Sequence, residues 1–213
     1  MRIAEPADCI IINADGESPD ATTRLFLETP TNCRKQSLIT TPHRGKGSNI
    51  FNILRYCRDH EIAALAFIDT DLQSITPAWV EALLNPVLQG EADYVAPLYL
   101  RRRFEGATTN HFAYPILTAY FGQYLRQPIG GEFGLSGAFF DYLLKQPVNP
   151  EILGYGIDIF MSMHAVGGGF KAAQASLGHK VHSPSFAKRG RIFPEVVTSA
   201  LTVARQNGGQ DQI

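Results

Sequence analysis

Residues Ala63–Leu72 read AALAFIDTDL, and this stretch decides the fold. Ala63–Ile68 is an apolar run without polar alternation, the pattern of a short strand buried on both faces. It stops abruptly at Asp69-Thr70-Asp71. Two carboxylates at i and i+2 on a strand end can both turn to the carboxyl edge of a sheet, where α/β proteins bind ligands. Paired carboxylate oxygens suit Mg2+ or Mn2+, and such an ion can also bridge a diphosphate. A purely structural reading stays open on these residues alone, with Asp71 capping the next turn and Asp69 ending the strand in solvent.

The neighbouring sequence repeats the strand–helix rhythm. Upstream, Cys9–Asn13 (CIIIN) is a second buried strand, Asp20–Glu28 a short helix and Ser37–Thr40 a short strand. Ser48–Asp59 places Ile50, Ile53, Leu54 and Cys57 on one helical face. Downstream, Pro77 suits the first turn of a helix, and Trp79, Leu83, Leu84, Val87 and Leu88 form its apolar side. Ala92–Leu98 is a third strand. This alternation predicts an α/β domain with a mostly parallel central sheet. In the second half, His111–Leu125 reads as an aromatic-rich helix and Gly130–Gly137 as a glycine-rich loop. Gly137–Lys145 and Ile157–Val166 read as helices, Phe170–Ala175 as a strand, Ile192–Gln206 as a closing helix and Asn207–Ile213 as a frayed tail.

Composition narrows the class. The 213 residues carry 19 Lys and Arg against 20 Asp and Glu, a net charge of −1, which excludes a globally basic nucleic-acid binder. With 45% hydrophobic residues the chain can bury a sizeable core. Cys9, Cys33 and Cys57 are odd in number and widely spaced, the usage of reduced thiols in a cytoplasmic protein. No apolar run approaches the roughly 18–20 residues of a membrane span. The N-terminus MRIAEPAD has no signal-peptide core.

Five further groups offer chemistry. Asn13-Ala14-Asp15-Gly16 follows a strand and can set a carboxylate and backbone amides where a base or ribose would lie, although taken alone a plain β-turn is the simpler account. His43-Arg44-Gly45-Lys46-Gly47 opens a helix with two glycines and a cation, which suits a phosphate. Gln127-Pro128-Ile129-Gly130-Gly131-Glu132-Phe133-Gly134 sets one carboxylate among three glycines, while Gly154-Tyr155-Gly156-Ile157-Asp158 places another in the first turn of a helix. Gly178-His179-Lys180-Val181-His182 offers two imidazoles after a strand-like segment.

In this order, N-x-D-G, G-K-G and D-T-D-L resemble the nucleotide-sugar half of GT-A glycosyltransferases. Together with Glu105-Gly106-Ala107-Thr108-Thr109 and the second-half groups, they resemble the retaining enzymes of the glucosyl-3-phosphoglycerate synthase and mannosylglycerate synthase-like group, over residues 9–185. The resemblance implies a single GT-A domain, Rossmann-like and N-terminally truncated. Residues 1–100 would be its nucleotide-sugar half, 101–185 its acceptor and metal-completing half, and 186–213 a closing helix and tail. It implies a Mg2+- or Mn2+-dependent transfer of a hexose from UDP- or GDP-hexose to a small hydroxy acid, glycerate- or phosphoglycerate-like, with retention. By the same resemblance Asp15, Gly16, Lys46 and Asp69 bind the nucleotide sugar, and Asp71 and His182 hold the metal. Asp71, Glu132 and Asp158 form the catalytic set, the latter two positioning substrate, and Thr109 and Gly131 meet the acceptor. The match departs at Gly106–Thr109, where the family carries a basic residue; Arg101, Arg102 and Arg103 stand nearby. It departs also at the start, where about eight residues precede Cys9 and leave no room for the first strand–helix unit, so that an open sheet edge predicts a homo-oligomer. The competing readings are a nucleotidyltransferase and a degenerate sugar-nucleotide-binding domain without turnover.

Overall fold

A computed structural model of the chain describes residues 9–42, 45–101, 105–182 and 189–207. The first unit is a β–α–β crossover. Strand β1 (Ile10–Asp15) pairs in parallel with β2 (Arg34–Ile39), in register from Ile10 opposite Arg34 to Asp15 opposite Ile39, with α1 (Thr22–Glu28) between them. Helix α2 (Lys46–Asp59) then leads to β3 (Ala64–Phe67), α3 (Pro77–Leu88) and β4 (Tyr94–Leu100). A π-helical turn (Thr109–Ala113) runs into α4 (Tyr114–Phe121), followed by β5 (Phe133–Ser136), α5 (Gly137–Leu143), α6 (Ile157–Gly167), β6 (Ala172–His179) and α7 (Arg189–Asn207). The tail expected from Asn207 onward lies, after its first residue, outside the described residues, as do His43, Arg44, Arg102 and Arg103.

The larger sheet has the order β3-β5-β4-β6. β5 runs antiparallel to both β3 and β4, and β6 runs parallel to β4. Three strands therefore share one direction, but β5 runs reversed between two of them, so the larger sheet is mixed: the β4–β6 ladder is parallel and both β5 ladders are antiparallel. That strand corrects one expectation. Gly130–Gly137 is not all loop, because Phe133–Ser136 inserts between β3 and β4 and finds ladder partners on both sides. Its glycines read as loop residues, but Phe133 and Leu135 are fully buried, and tertiary pairing overrides local propensity. The aromatic segment also differs from one continuous helix: the π-helical turn begins at Thr109 and α4 ends at Phe121.

Apolar side chains cover both faces of the sheet. One cluster joins Leu54 of α2, Phe133 of β5, Phe139 of α5, Phe160 and Met163 of α6, and Val203 of α7. A smaller cluster joins Trp79, Leu83 and Val87 of α3 to Val95, Tyr99 and Leu177. Each fully buried large side chain contributes about 1.5–3 kcal/mol relative to exposure. Tyr94 is buried in the sheet, with its hydroxyl 2.7 Å from Ser162 Oγ on α6. Among the described residues, β1 pairs only with β2 and β3 only with β5, and α2 connects the two sheets by packing on β1, α5 and α6.

Candidate active site

The strand directions explain why so many charged groups meet. β3, β4 and β6 end on one edge, delivering Asp69, Arg101 and Lys180 just beyond their last residues. The reversed strand β5 begins on that same edge, so Gly130, Gly131 and Glu132 arrive there from the opposite direction. This carboxyl edge is where open α/β sheets bind ligands.

Helix α2 brings the next group. Its first turn docks on the segment before α6: the Gly47 N–H donates to the Gly154 carbonyl at 3.0 Å and the Ser48 N–H to the Leu153 carbonyl at 3.0 Å. Gly47 permits this contact, since a Cβ there would overlap the Ile152 carbonyl and lie 2.8 Å from Leu153 Cα. Docking sets Lys46 beside the first turn of α6. Lys46 Nζ lies 3.1 Å from Asp158 Oδ1, 3.2 Å from Asp158 Oδ2 and 3.0 Å from Asp69 Oδ1. One ammonium thus bridges a strand-end carboxylate and a helix-start carboxylate.

Lys180 is the second bridge. Its Nζ lies 2.8 and 3.0 Å from the two oxygens of Glu132, 2.8 Å from the Gly130 carbonyl and 3.8 Å from Asp69 Oδ2. Glu132 is fully buried and also accepts a hydrogen bond from the Tyr99 hydroxyl. The Asp69 carboxylate rests on Gly131, whose φ is +98° and whose missing Cβ leaves room for Asp69 Oδ2.

These contacts govern the charges. Burial opposes the charge on Lys46, but Asp158 and Asp69 outweigh it and hold its pKa above the usual lysine range. Burial likewise opposes the charge on Asp69, and Lys46, Lys180 and His182 outweigh it and hold that carboxyl below the usual range. For Asp158, burial prevails over the attraction of Lys46 and raises its pKa. Tyr99 is raised first by burial and then by the adjacent Glu132, so it stays a hydrogen-bond donor.

The expected site residues fall into two groups. Lys46, Asp69, Gly131, Glu132 and Asp158 form one connected constellation. His182 joins its border, because it forms an antiparallel bridge with Leu72 directly after Asp71, and Gln73 donates to the Val181 carbonyl at 2.8 Å. Asp71 is exposed at this edge. Among the described residues no three His, Cys, Asp or Glu side chains are gathered as a metal cluster. Asp15 and Gly16 end β1 in the smaller sheet, and buried Asp15 accepts from the Ser18 N–H at 2.9 Å and the Thr23 hydroxyl at 2.6 Å. Thr109 is buried at the start of the π-helical turn. Lys180 and Tyr99 were not expected. Lys180 stands between two histidines with the more familiar ligand chemistry, and Tyr99 lies just beyond the expected strand, so only the folded topology shows either one facing Glu132.

The α/β fold with this charged carboxyl edge is of the GT-A type, as its match to solved glycosyltransferases shows. The chain belongs to glycosyl transferase family 2, whose family model matches residues 4–144. It is 27% identical over 188 residues to the glucosyl-3-phosphoglycerate synthase of Mycolicibacterium paratuberculosis, an alignment covering 79% of this chain and 54% of that protein. The chain therefore spans about half the length of this curated relative. The crystal structure of glucosyl-3-phosphoglycerate synthase from Mycobacterium tuberculosis in complex with Mn2+, UDP and phosphoglyceric acid matches with a TM-score of 0.71 and 25% identity, over 92% of this chain and 66% of that one. The same enzyme with Mn2+, UDP-glucose and phosphoglyceric acid matches with a TM-score of 0.72 and 26% identity, over 91% and 68%.

Proposed function

We propose that this protein transfers a hexose from UDP-glucose or a related nucleotide sugar to a hydroxyl of a small acidic acceptor of the glycerate or phosphoglycerate type, with retention. The observation that carries this reading is the Lys46 bridge between Asp69 and Asp158 at the carboxyl edge, in a chain whose relatives are glucosyl-3-phosphoglycerate synthases. Solved relatives hold Mn2+ with UDP, UDP-glucose and phosphoglyceric acid. The ligand types suit such an ion, the Asp71 carboxylate and the His182 imidazole standing on segments joined by the Leu72–His182 bridge, while Asp69 is engaged by Lys46 and Lys180. Asp71 and His182 would hold it, and when bound it supplies Lewis-acid stabilisation of the departing diphosphate.

The chain's own residues do the rest. Lys46 places a positive charge at the helix start where the donor phosphates arrive. Asp158, held by Lys46, orients substrate hydroxyls, and Thr109 and Gly131 border the acceptor. Glu132 acts as a positioning residue through Lys180 and Tyr99, since its oxygens are both engaged. Asp15 and Gly16 form the nucleobase wall in this reading. Three unbridged cysteines fit a cytoplasmic setting, and no described helix is long and apolar enough to cross a membrane. Ile11, Leu25, Leu27 and Ile39 expose apolar surface on the β1–α1–β2 unit, which fits a homo-oligomer, and light scattering at the monomer mass would contradict that part.

The test of the reaction is UDP release from UDP-glucose with Mn2+, with and without 3-phosphoglycerate, and the anomeric configuration of the product by NMR. The expected result is metal-dependent release stimulated by the acceptor, with an α-linked product. Tight UDP-glucose binding without release in either condition would identify a binding domain without turnover.

A further inference from the structure

The end of β4 carries a cleft that the constellation above does not use. It encloses about 390 Å³ between the strand end, the π-helical turn and residues 126–127, and Arg101, Asn110, Arg126 and Gln127 line it beside Tyr99. The Arg101 guanidinium carbon lies 5.2 Å from the centre of the Tyr99 ring, and Lys180 Nζ lies 5.3 Å from the same centre. One aromatic ring therefore links this cleft to the lysine that holds Glu132.

Arg101 is oriented and left with capacity. Its Nε donates to Gln127 Oε1 at 3.4 Å, and the buried Gln127 is itself fixed by donating from Nε2 to the Tyr99 carbonyl at 3.0 Å. The terminal guanidinium nitrogens make no hydrogen bond among the described residues, and no carboxylate there lies within salt-bridge distance of them. A half-buried guanidinium without an ion-pair partner is costly, and a paired anion offsets that cost through two parallel N–H donors. Burial lowers the Arg101 pKa and outweighs the opposing pull of Tyr99, Glu132 and Glu105. Arg126 adds a second cation at the rim, stacked 4.6 Å over the Tyr114 ring.

The cleft adjoins the segment expected at the acceptor. Asn110 follows Thr109, its N–H donates to the Gly106 carbonyl at 2.8 Å and its Nδ2 to the Glu105 carbonyl at 3.1 Å. An added Cβ on Gly106 would lie 3.5 Å from Arg101 Cδ. Gly106–Thr109 contains no basic residue, and the strand end supplies one directly behind it. We propose that the Arg101–Asn110–Arg126 cleft binds the anionic group of the acceptor, an inference that takes the transferase reading above as its premise.

Calorimetry of the Mn2+- and UDP-loaded protein with 3-phosphoglycerate, glycerate, glycerol 3-phosphate and glycerol tests it. Arg101→Met is expected to weaken the acid that binds best by about ten- to a hundredfold, the scale of a lost charge-assisted pair. Affinity for Mn2+ and UDP should stay within about twofold, and Arg101→Lys should restore part of the acid affinity. Glycerate against glycerol 3-phosphate shows whether a carboxylate or a phosphate is held. Unchanged acid binding in a folded Arg101→Met protein overturns the inference, as does a wild-type protein that binds none of the acids. Acid binding that depends on Arg101 in a protein with no affinity for UDP-glucose would instead sink the transferase reading and leave the anion cleft standing.

Discussion

At the scale of single residues, the site is a balance between burial and pairing. Lys46 is the cation that touches Asp158 among the described residues. Lys46→Met should destabilise the fold by about 2–4 kcal/mol in urea unfolding, because it leaves a carboxylate buried without its partner. Adding Asp158→Asn should recover most of that loss, and a double-mutant cycle measures the coupling; an additive result would show that the pair contributes little. His164 gives a pH-dependent counterpart in the last turn of α6, at the other end of the helix from Asp158. It is buried on α6 between Phe160 and Tyr142, and burial pushes its imidazole from 6.5 down to about 4. The unfolded chain binds a proton near 6.5 and the folded chain only near 4, so stability falls as pH drops through that window. The loss reaches about 3 kcal/mol at roughly 1.36 kcal/mol per unit. His164→Leu should flatten the decline of urea stability between those values. Asp69, whose pKa is held down, adds to acid lability below the ordinary carboxylate range, because its stabilisation disappears as it protonates.

At the scale of elements, two close approaches build the constellation, and both lie where glycine was visible but its purpose was not. Gly131→Ala puts a Cβ into the Asp69 carboxylate at a backbone angle that side chains rarely adopt. It should cost about 1–3 kcal/mol and weaken donor binding, measured together by thermal unfolding and UDP titration. Unaltered donor affinity would show that Gly131 does not seat Asp69 for the donor. β1, β3, β4, α2 and α3 were legible because apolar runs and helical spacing report burial locally. β5 was not, since its glycines signal a loop and only the strands on either side make it a strand. Lys180 and Tyr99 were illegible for a related reason: a buried polar side chain is explained by its partner, and Glu132 is distant from both in sequence. Asp69, Lys46 and Asp158 were legible as candidates because each marks an element boundary. What no spacing revealed is that α2 docks on the Ile152–Gly154 backbone and so forces Lys46 between the two carboxylates.

At the scale of the whole molecule, the proposed function rests on convergence at one sheet edge. Three strands end there and a reversed one begins there, while α2 and α6 contribute the first turns of two helices. The order of motifs along the chain was readable, and family membership agrees with it. A ligand bound only by the folded state stabilises it by mass action, so UDP with Mn2+ at about a hundredfold excess over Kd should add about 2.7 kcal/mol and raise the unfolding temperature. Isothermal titration of UDP-glucose into the wild type with Mn2+, the wild type with EDTA, and Asp71→Ala with Mn2+ examines that edge itself. Metal-dependent donor binding there predicts measurable affinity in the first case and a loss of at least about tenfold in the other two. Equal affinity in all three would contradict it.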